Sequence, residues 1–301
     1  MEIVSKVHAT NLVRWAKDHP EVLVLSADLT GSTEIDLFAK TYPKRFFSMG
    51  VAEQNMIGFA AGLAREGYIP FVHTFAVFIY RQALNQIVSS VAYSNLPVKL
   101  FGFLPGITTP GGATHQAIED VAVMRAVPNI TIFEPGDATE IQTVPDAVME
   151  TRGPVYIRML RGEVPRIFSP DKPFVPGKAR VLSEGEDITL LSSGICTEEA
   201  MRTVLLIRAA GIKIEHLHIS THKPFSDPTV IAALKKPRFG VKDTFAHGGS
   251  RPYLMRYYGL DAAALVKNVE ALSGQPLGIG EADIAAAAPE PGESNANVEA
   301  L

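Results

Sequence analysis

A glutamate at the head of an apolar helix is the first residue here that could do chemistry. In Ser48-Met49-Gly50-Val51-Ala52-Glu53-Gln54-Asn55-Met56, Glu53 precedes Ile57-Gly58-Phe59-Ala60-Ala61-Gly62-Leu63-Ala64, almost all apolar or small. A helix without a polar face is buried or lies in an interface. A carboxyl at the mouth of such an element is costly unless it has a partner, which makes Glu53 a candidate proton-exchanging acid. The plainer alternative is a first-turn glutamate that complements the helix dipole. Phe75-Ala76-Val77-Phe78-Ile79-Tyr80-Arg81 places aromatics at the end of a predicted strand. They read either as ordinary core or as a wall for a planar ligand, because open α/β sheets bind ligands at the carboxyl ends of their strands. In Thr108-Thr109-Pro110-Gly111-Gly112-Ala113-Thr114-His115-Gln116, glycines let backbone approach a ligand closely. His115 could donate a proton or a hydrogen bond there, or be structural or merely exposed.

These residues need elements to position them. Short apolar runs predict strands at Val22 to Leu25, closing on Ser26-Ala27-Asp28, and at residues 71–75, 98–101, 131–133 and 155–157. Their continuous apolar character is that of parallel strands buried on both faces. Helical spacing separates them at residues 4–18, 51–63, 82–94, 116–125 and 137–150, the last opening with Asp137 and Glu140 at capping-box spacing. The alternation predicts an α/β fold with an open, mostly parallel sheet over residues 1–170. A Pro-rich linker follows at 171–178, then a smaller α/β unit over 179–275. In that unit a strand is expected at 188–191, a helix near 197–210, a strand at 213–217 and a helix capped by Asp227 before Pro228. Residues 276–301 lack an apolar period and read as a flexible tail.

Composition narrows the function classes. Among 301 residues, 28 Lys plus Arg nearly balance 32 Asp plus Glu, so no general nucleic-acid surface is expected. The one cysteine, Cys196, excludes an intrachain disulfide framework and suits a reducing, cytoplasmic setting. No apolar run reaches the roughly 20 residues of a membrane span, and the N-terminal segment is too polar for a signal-peptide core. A mean hydropathy of +0.12 is high for this class and points to a surface covered by a partner.

Taken in order, several segments resemble the pyrimidine-binding half of the transketolase family. They are Asp28-Leu29-Thr30, Gly50-Val51-Ala52-Glu53-Gln54-Asn55-Met56, Thr74-Phe75, Gly112-Ala113-Thr114-His115-Gln116, Pro128-Asn129 and Pro135-Gly136-Asp137-Ala138. The resemblance runs from about residue 3 to residue 275, and the second unit is similar to the family's C-terminal domain. The family's Gly-Asp-Gly…Asn motif, which serves the diphosphate of thiamine diphosphate through a divalent metal, is absent from this chain. The resemblance therefore implies the C-terminal subunit of a split transketolase. An N-terminal partner subunit would hold the diphosphate and Mg²⁺ or another divalent metal, in an α2β2 heterotetramer.

By the same resemblance, Glu53 hydrogen-bonds the ring nitrogen N1′ of the cofactor's aminopyrimidine. Phe75 packs on that ring, and Phe78 is a second wall. Asp28 lies near the cofactor at the subunit interface, and His115 contacts the donor sugar. Arg161, in Leu160-Arg161-Gly162-Glu163-Val164-Pro165, binds an acceptor's terminal anion with its planar fork, a surface salt bridge being the plainer alternative. Two positions depart from the family: Gly111 stands where an aspartate is usual and Phe103 where a histidine is usual. Both positions contact sugar hydroxyls in the family, so a non-standard sugar phosphate or sulfonate is implied. A further departure follows Leu234-Lys235-Lys236, where the C-terminal domain looks shortened. The enzymatic alternatives are 1-deoxyxylulose-5-phosphate synthase-like chemistry and the β subunit of a 2-oxoacid dehydrogenase. The alternative from another class is a non-catalytic assembly subunit.

Overall fold

A computed structural model describes residues 2–233 and 249–287. Seven strands form the main sheet, in the spatial order Thr221–Lys223, Thr131–Phe133, Val155–Met159, Lys99–Phe103, Ile69–Phe75, Val22–Ser26 and Phe46–Ser48. All neighbours are parallel except Thr221–Lys223, which runs antiparallel at one edge. Val22–Ser26 and Lys99–Phe103 are buried at every residue, as central parallel strands covered on both faces should be, even though the second opens with Lys99. The register sets Ser26 opposite His73, Phe75 opposite Phe103, and Phe103 opposite Met159. The carboxyl ends of four central strands thus line up along one edge. The core beneath them includes the fully buried Phe38, Phe71, Phe101, Phe133 and Tyr156. Each such side chain contributes about 1.5–3 kcal/mol on full burial.

The smaller sheet has three strands: Ile188–Ser192 and Ile214–His218 in parallel, with Arg180–Ser183 antiparallel to the latter. Helices Cys196–Ala209 and Ala262–Ser273 bury Val204, Ile207, Leu265, Val266 and Val269 against it. Thr221–Lys223 follows these strands in sequence yet joins the main sheet beside Thr131–Phe133. The two units therefore share a sheet, and one edge of the large sheet is covered from within the chain.

Several elements differ from their expected bounds. The first helix is Val7–Trp15, because Ile3–Ser5 pairs as a strand with Glu163–Pro165. The helix expected at 82–94 begins at Ala76, directly after Phe75, and passes through a non-helical Ala83 into a π-helical turn at Ile87–Ala92. A strand running into a helix without a loop leaves no punctuation to read, so the aromatic run lies at a helix start rather than a strand end. Between 112 and 126 the chain makes a 3₁₀ turn, Gly112–Thr114, and then the helix Asp120–Ala126. Asp137 caps Ala138–Glu150 by accepting from the Glu140 N–H at 2.8 Å, but the Glu140 carboxylate reaches back to the Gly136 N–H rather than to that of Asp137. Asp227 accepts from the Thr229 N–H at 2.8 Å at the head of Pro228–Ala233.

The expected flexible tail is corrected in its first part. Glu281–Ala287 is a helix, and Leu277, Ile279 and Ile284 pack against the core of the smaller unit. The rest of that tail, residues 288–301, and the expected shortening after Leu234 lie outside the described residues. Among the described residues, no helix is long and apolar enough to cross a membrane.

Candidate active site

Glu53 is the first residue of the helix Glu53–Arg65, entered from the edge strand Phe46–Ser48 through a turn at Gly50. Gly50 has φ +69°, which glycine adopts without strain, and its carbonyl accepts from the Ala52 N–H at 2.7 Å. The helix buries Met56, Ile57, Ala60, Ala61 and Ala64, and packs on the strand Ile69–Phe75 and the helix Ala76–Gln86. Its other face leaves Gln54, Asn55, Gly58, Phe59 and Gly62 exposed, with Val51 exposed beside them. Glu53 itself is only 8% exposed. Among the described residues, no side chain or backbone group hydrogen-bonds or pairs with its carboxylate.

Phe75, Phe78 and His115 come together. The two phenyl rings stack at 5.7 Å between centroids with an interplanar angle of 28°. The His115 imidazole stands edge-on to both, 6.2 Å from Phe75 and 5.4 Å from Phe78. Gly111 lies against that imidazole: a Cβ at position 111 would be 2.7 Å from His115 Cβ and 2.9 Å from its Cγ. Sequence reasoning reached these four positions separately, and the fold assembles them.

The remaining expected site residues are placed differently. Asp28 is exposed just beyond the strand Val22–Ser26, with φ +61°, a left-handed conformation that an aspartate tolerates better than most residues. Arg161 is half-buried, and its Nη1 donates to the Ser32 carbonyl at 3.1 Å. Nearby Glu34 accepts from the Gly162 N–H at 2.6 Å, while burial raises its carboxyl above the usual range. Arg161 is therefore tied to backbone and forms no surface salt bridge among the described residues. Phe103 departs from expectation. It is fully buried, edge-on to His8 at 5.4 Å, so it contacts protein and is not open to a sugar.

Three groups escaped the sequence reading. His73 donates from Nδ1 to the Phe71 carbonyl at 3.1 Å, which assigns its Nε2 as acceptor for His8 Nε2–H at 3.0 Å. Burial keeps both imidazoles neutral, His8 being pushed down to about 3. Arg158, in the middle of an apolar strand, donates from Nε to Asp120 at 2.9 Å and from Nη1 to Glu134 at 2.5 Å. A charge inside the run Val155-Tyr156-Ile157-Arg158-Met159 was the available signal for it. Arg81 grips Glu119 and the turn before His115, and no motif marks it. No group of three or more His, Cys, Asp or Glu side chains among the described residues could hold a metal ion.

The chain thus has a mostly parallel α/β sheet, an acid without a partner among the described residues at a helix head, and two stacked phenyl rings with a histidine edge-on to them. The transketolase pyrimidine binding domain matches residues 4–166, and the transketolase C-terminal domain matches residues 177–241. A 6-deoxy-6-sulfo-D-fructose transketolase subunit of a Clostridium species is 36% identical, over 85% of this chain and 90% of its own. A solved split gene transketolase, in an inactive β4 tetramer, is also 36% identical, with a TM-score of 0.79 over 89% of this chain and 97% of that one. The 1-deoxy-D-xylulose-5-phosphate synthase of Prochlorococcus marinus is 32% identical over 81% of this chain but only 38% of its own length. This chain belongs to the transketolase family, whose members are transferases.

Proposed function

We propose that this chain is the pyrimidine-binding subunit of a two-subunit, thiamine-diphosphate-dependent transketolase. It moves a two-carbon ketol unit from a ketose phosphate or sulfonate to an aldose acceptor. The observation that carries the reading is Glu53, only 8% exposed as a residue, whose carboxylate has no partner among the described residues. The residues fit the cofactor's pyrimidine: an acid for a ring nitrogen, and the stacked Phe75 and Phe78 for a planar face. Bound thiamine diphosphate supplies the carbanion chemistry.

The chain's own residues bind, orient and move protons. Glu53 holds a proton at the pyrimidine nitrogen N1′ and exchanges it. Phe75 and Phe78 fix the ring plane. His115, edge-on to both rings, contacts the ketose, and the bare backbone at Gly111 gives its imidazole room. Arg161 keeps part of its fork for the anionic end of a sugar, consistent with the sulfonated sugar in one relative's name. Asp28 faces the partner subunit. That partner holds the diphosphate and divalent metal, and two such pairs form an α2β2 tetramer.

The test is reconstitution with the N-terminal subunit, thiamine diphosphate and Mg²⁺, followed by assay of ketose cleavage. Aldose release without CO₂ is expected, and it separates this reaction from those with 2-oxoacid donors. Glu53→Ala is expected to lose turnover by roughly 10²- to 10⁴-fold. Wild-type turnover in that variant sinks the reading.

A further inference from the structure

The turn that carries His115 is held from outside itself. Arg81 lies on the helix Ala76–Gln86, three residues past Phe78. Its Nη1 donates to the Ala113 carbonyl at 2.6 Å, while Nε and Nη2 donate to Glu119 Oε1 at 2.8 and 2.5 Å. Ala113 lies in the 3₁₀ turn just before His115, and Glu119 immediately precedes the helix Asp120–Ala126. One guanidinium thus pins the chain on both flanks of His115. It does so from the helix that presents Phe78 to the imidazole. Such a grip needs several donors in one plane, which arginine has and lysine lacks.

Two other contacts restrict the imidazole. Its Nδ1 lies 2.9 Å from Thr114 Oγ1, and Thr114 Oγ1 donates to the Gly111 carbonyl at 3.3 Å. On the side of Gly111 there is no space for even a methyl group. The Arg81–Glu119 pair is itself partly exposed, at 28% and 36% of the side chains. Exposed pairs add little to stability, so the effect of this one is local order rather than folding energy.

We propose that Arg81 is a positioning residue that acts through His115, fixing the imidazole against Phe75 and Phe78. The proposal rests on the reading of His115 as a ketose contact. A reacting group displaced by about 1 Å can cost on the order of 10²-fold in rate.

A double-mutant cycle in the reconstituted two-subunit complex tests it, with Arg81→Met, His115→Ala and the double variant. In the wild-type background, Arg81→Met is expected to lower kcat about ten- to hundredfold while the KM for thiamine diphosphate stays unchanged. In the His115→Ala background, the same change is expected to cost less than about twofold, because the two residues act as one unit. Equal losses in both backgrounds, or no loss in either, overturn the proposal. A second readout needs no turnover: the His115 imidazole resonance in the full chain, which the rings of Phe75 and Phe78 displace. It is expected to move toward the free-histidine position in Arg81→Met, and an unmoved resonance overturns the proposal. Wild-type turnover in His115→Ala fails the reading of His115 instead, and the resonance then still decides whether Arg81 positions the ring.

Discussion

Glu53 and Glu140 are both buried glutamates in the first turn of a helix, and they are treated in opposite ways. Glu140 is saturated. Its Oε2 accepts from the Gly136 N–H at 2.9 Å and from His218 Nε2–H at 3.0 Å. Its Oε1 accepts from Arg180 Nε at 2.8 Å and Ser220 Oγ at 3.1 Å. Burial raises its carboxyl, but the His218 and Arg180 partners outweigh this and hold it below the usual range. Glu53 has none of these contacts. A carboxylate with four donors is part of the structure that joins the two α/β units, whereas the proposed function gives the one with none to a ligand.

That contrast can be broken most forcefully at Glu140. Glu140→Gln removes the charge facing Arg180 and sets an amide against the Gly136 and His218 donors. Losing one partner of a buried pair costs about 3–5 kcal/mol, so a fall in Tm of roughly 10 °C or more is expected in thermal denaturation. A Tm within a degree or two of wild type would remove the distinction between the two glutamates.

Arg161 sharpens the comparison from the substrate side, being tied down at one nitrogen only. Arg161→Met is expected to raise the KM for the anionic sugar roughly ten- to hundredfold, in line with about 1.5–3 kcal/mol for charge-assisted bonds. Steady-state kinetics with phosphorylated and unphosphorylated acceptors check this, and the loss should be confined to the phosphorylated one.

Lys99 gives an effect that depends on pH. This buried cation donates to the Thr151 and Gly153 carbonyls at 2.8 and 2.9 Å, and burial pushes its ammonium down to about 7. Between about pH 7 and the ordinary lysine value of 10.5, the unfolded chain binds more protons than the folded one. Lys99 therefore contributes a penalty below pH 7 that is relieved as pH rises through this window. Urea denaturation from pH 7.5 to 9.5 should show wild-type stability gaining relative to Lys99→Met. A constant difference between the two would contradict the assignment.

Much of this architecture was legible in the sequence where the signal is local. The parallel strands follow from runs such as Val22-Leu23-Val24-Leu25, and Glu53 stands out because it precedes a run of apolar and small residues. The Asp137 cap is visible from spacing alone, but the partners of Glu140 are not. Arg180, His218 and Ser220 lie beyond the linker, and only tertiary folding brings them to Gly136 and Glu140. Ala76 hides as a helix start because Phe75 passes into it without a glycine, proline or polar break. Phe103 misleads for a different reason: the resemblance sets it at a position that contacts sugar in the family, while His8, from the first helix, covers it. Arg81 closes the aromatic run, but nothing in the sequence signals its partners, since Ala113 and Glu119 are more than thirty residues away.

The central claim is that the Glu53 carboxylate serves a ligand and not the fold, and a single variant measured twice tests it most directly. Glu53→Gln keeps the shape of the side chain and removes its exchangeable acid. In the full chain its Tm is expected within about 1 °C of wild type, the range of a substitution that breaks no native contact. In the reconstituted complex its turnover is expected to fall at least roughly 10²-fold. A Tm several degrees lower with turnover preserved would show that Glu53 belongs, like Glu140, to the structure.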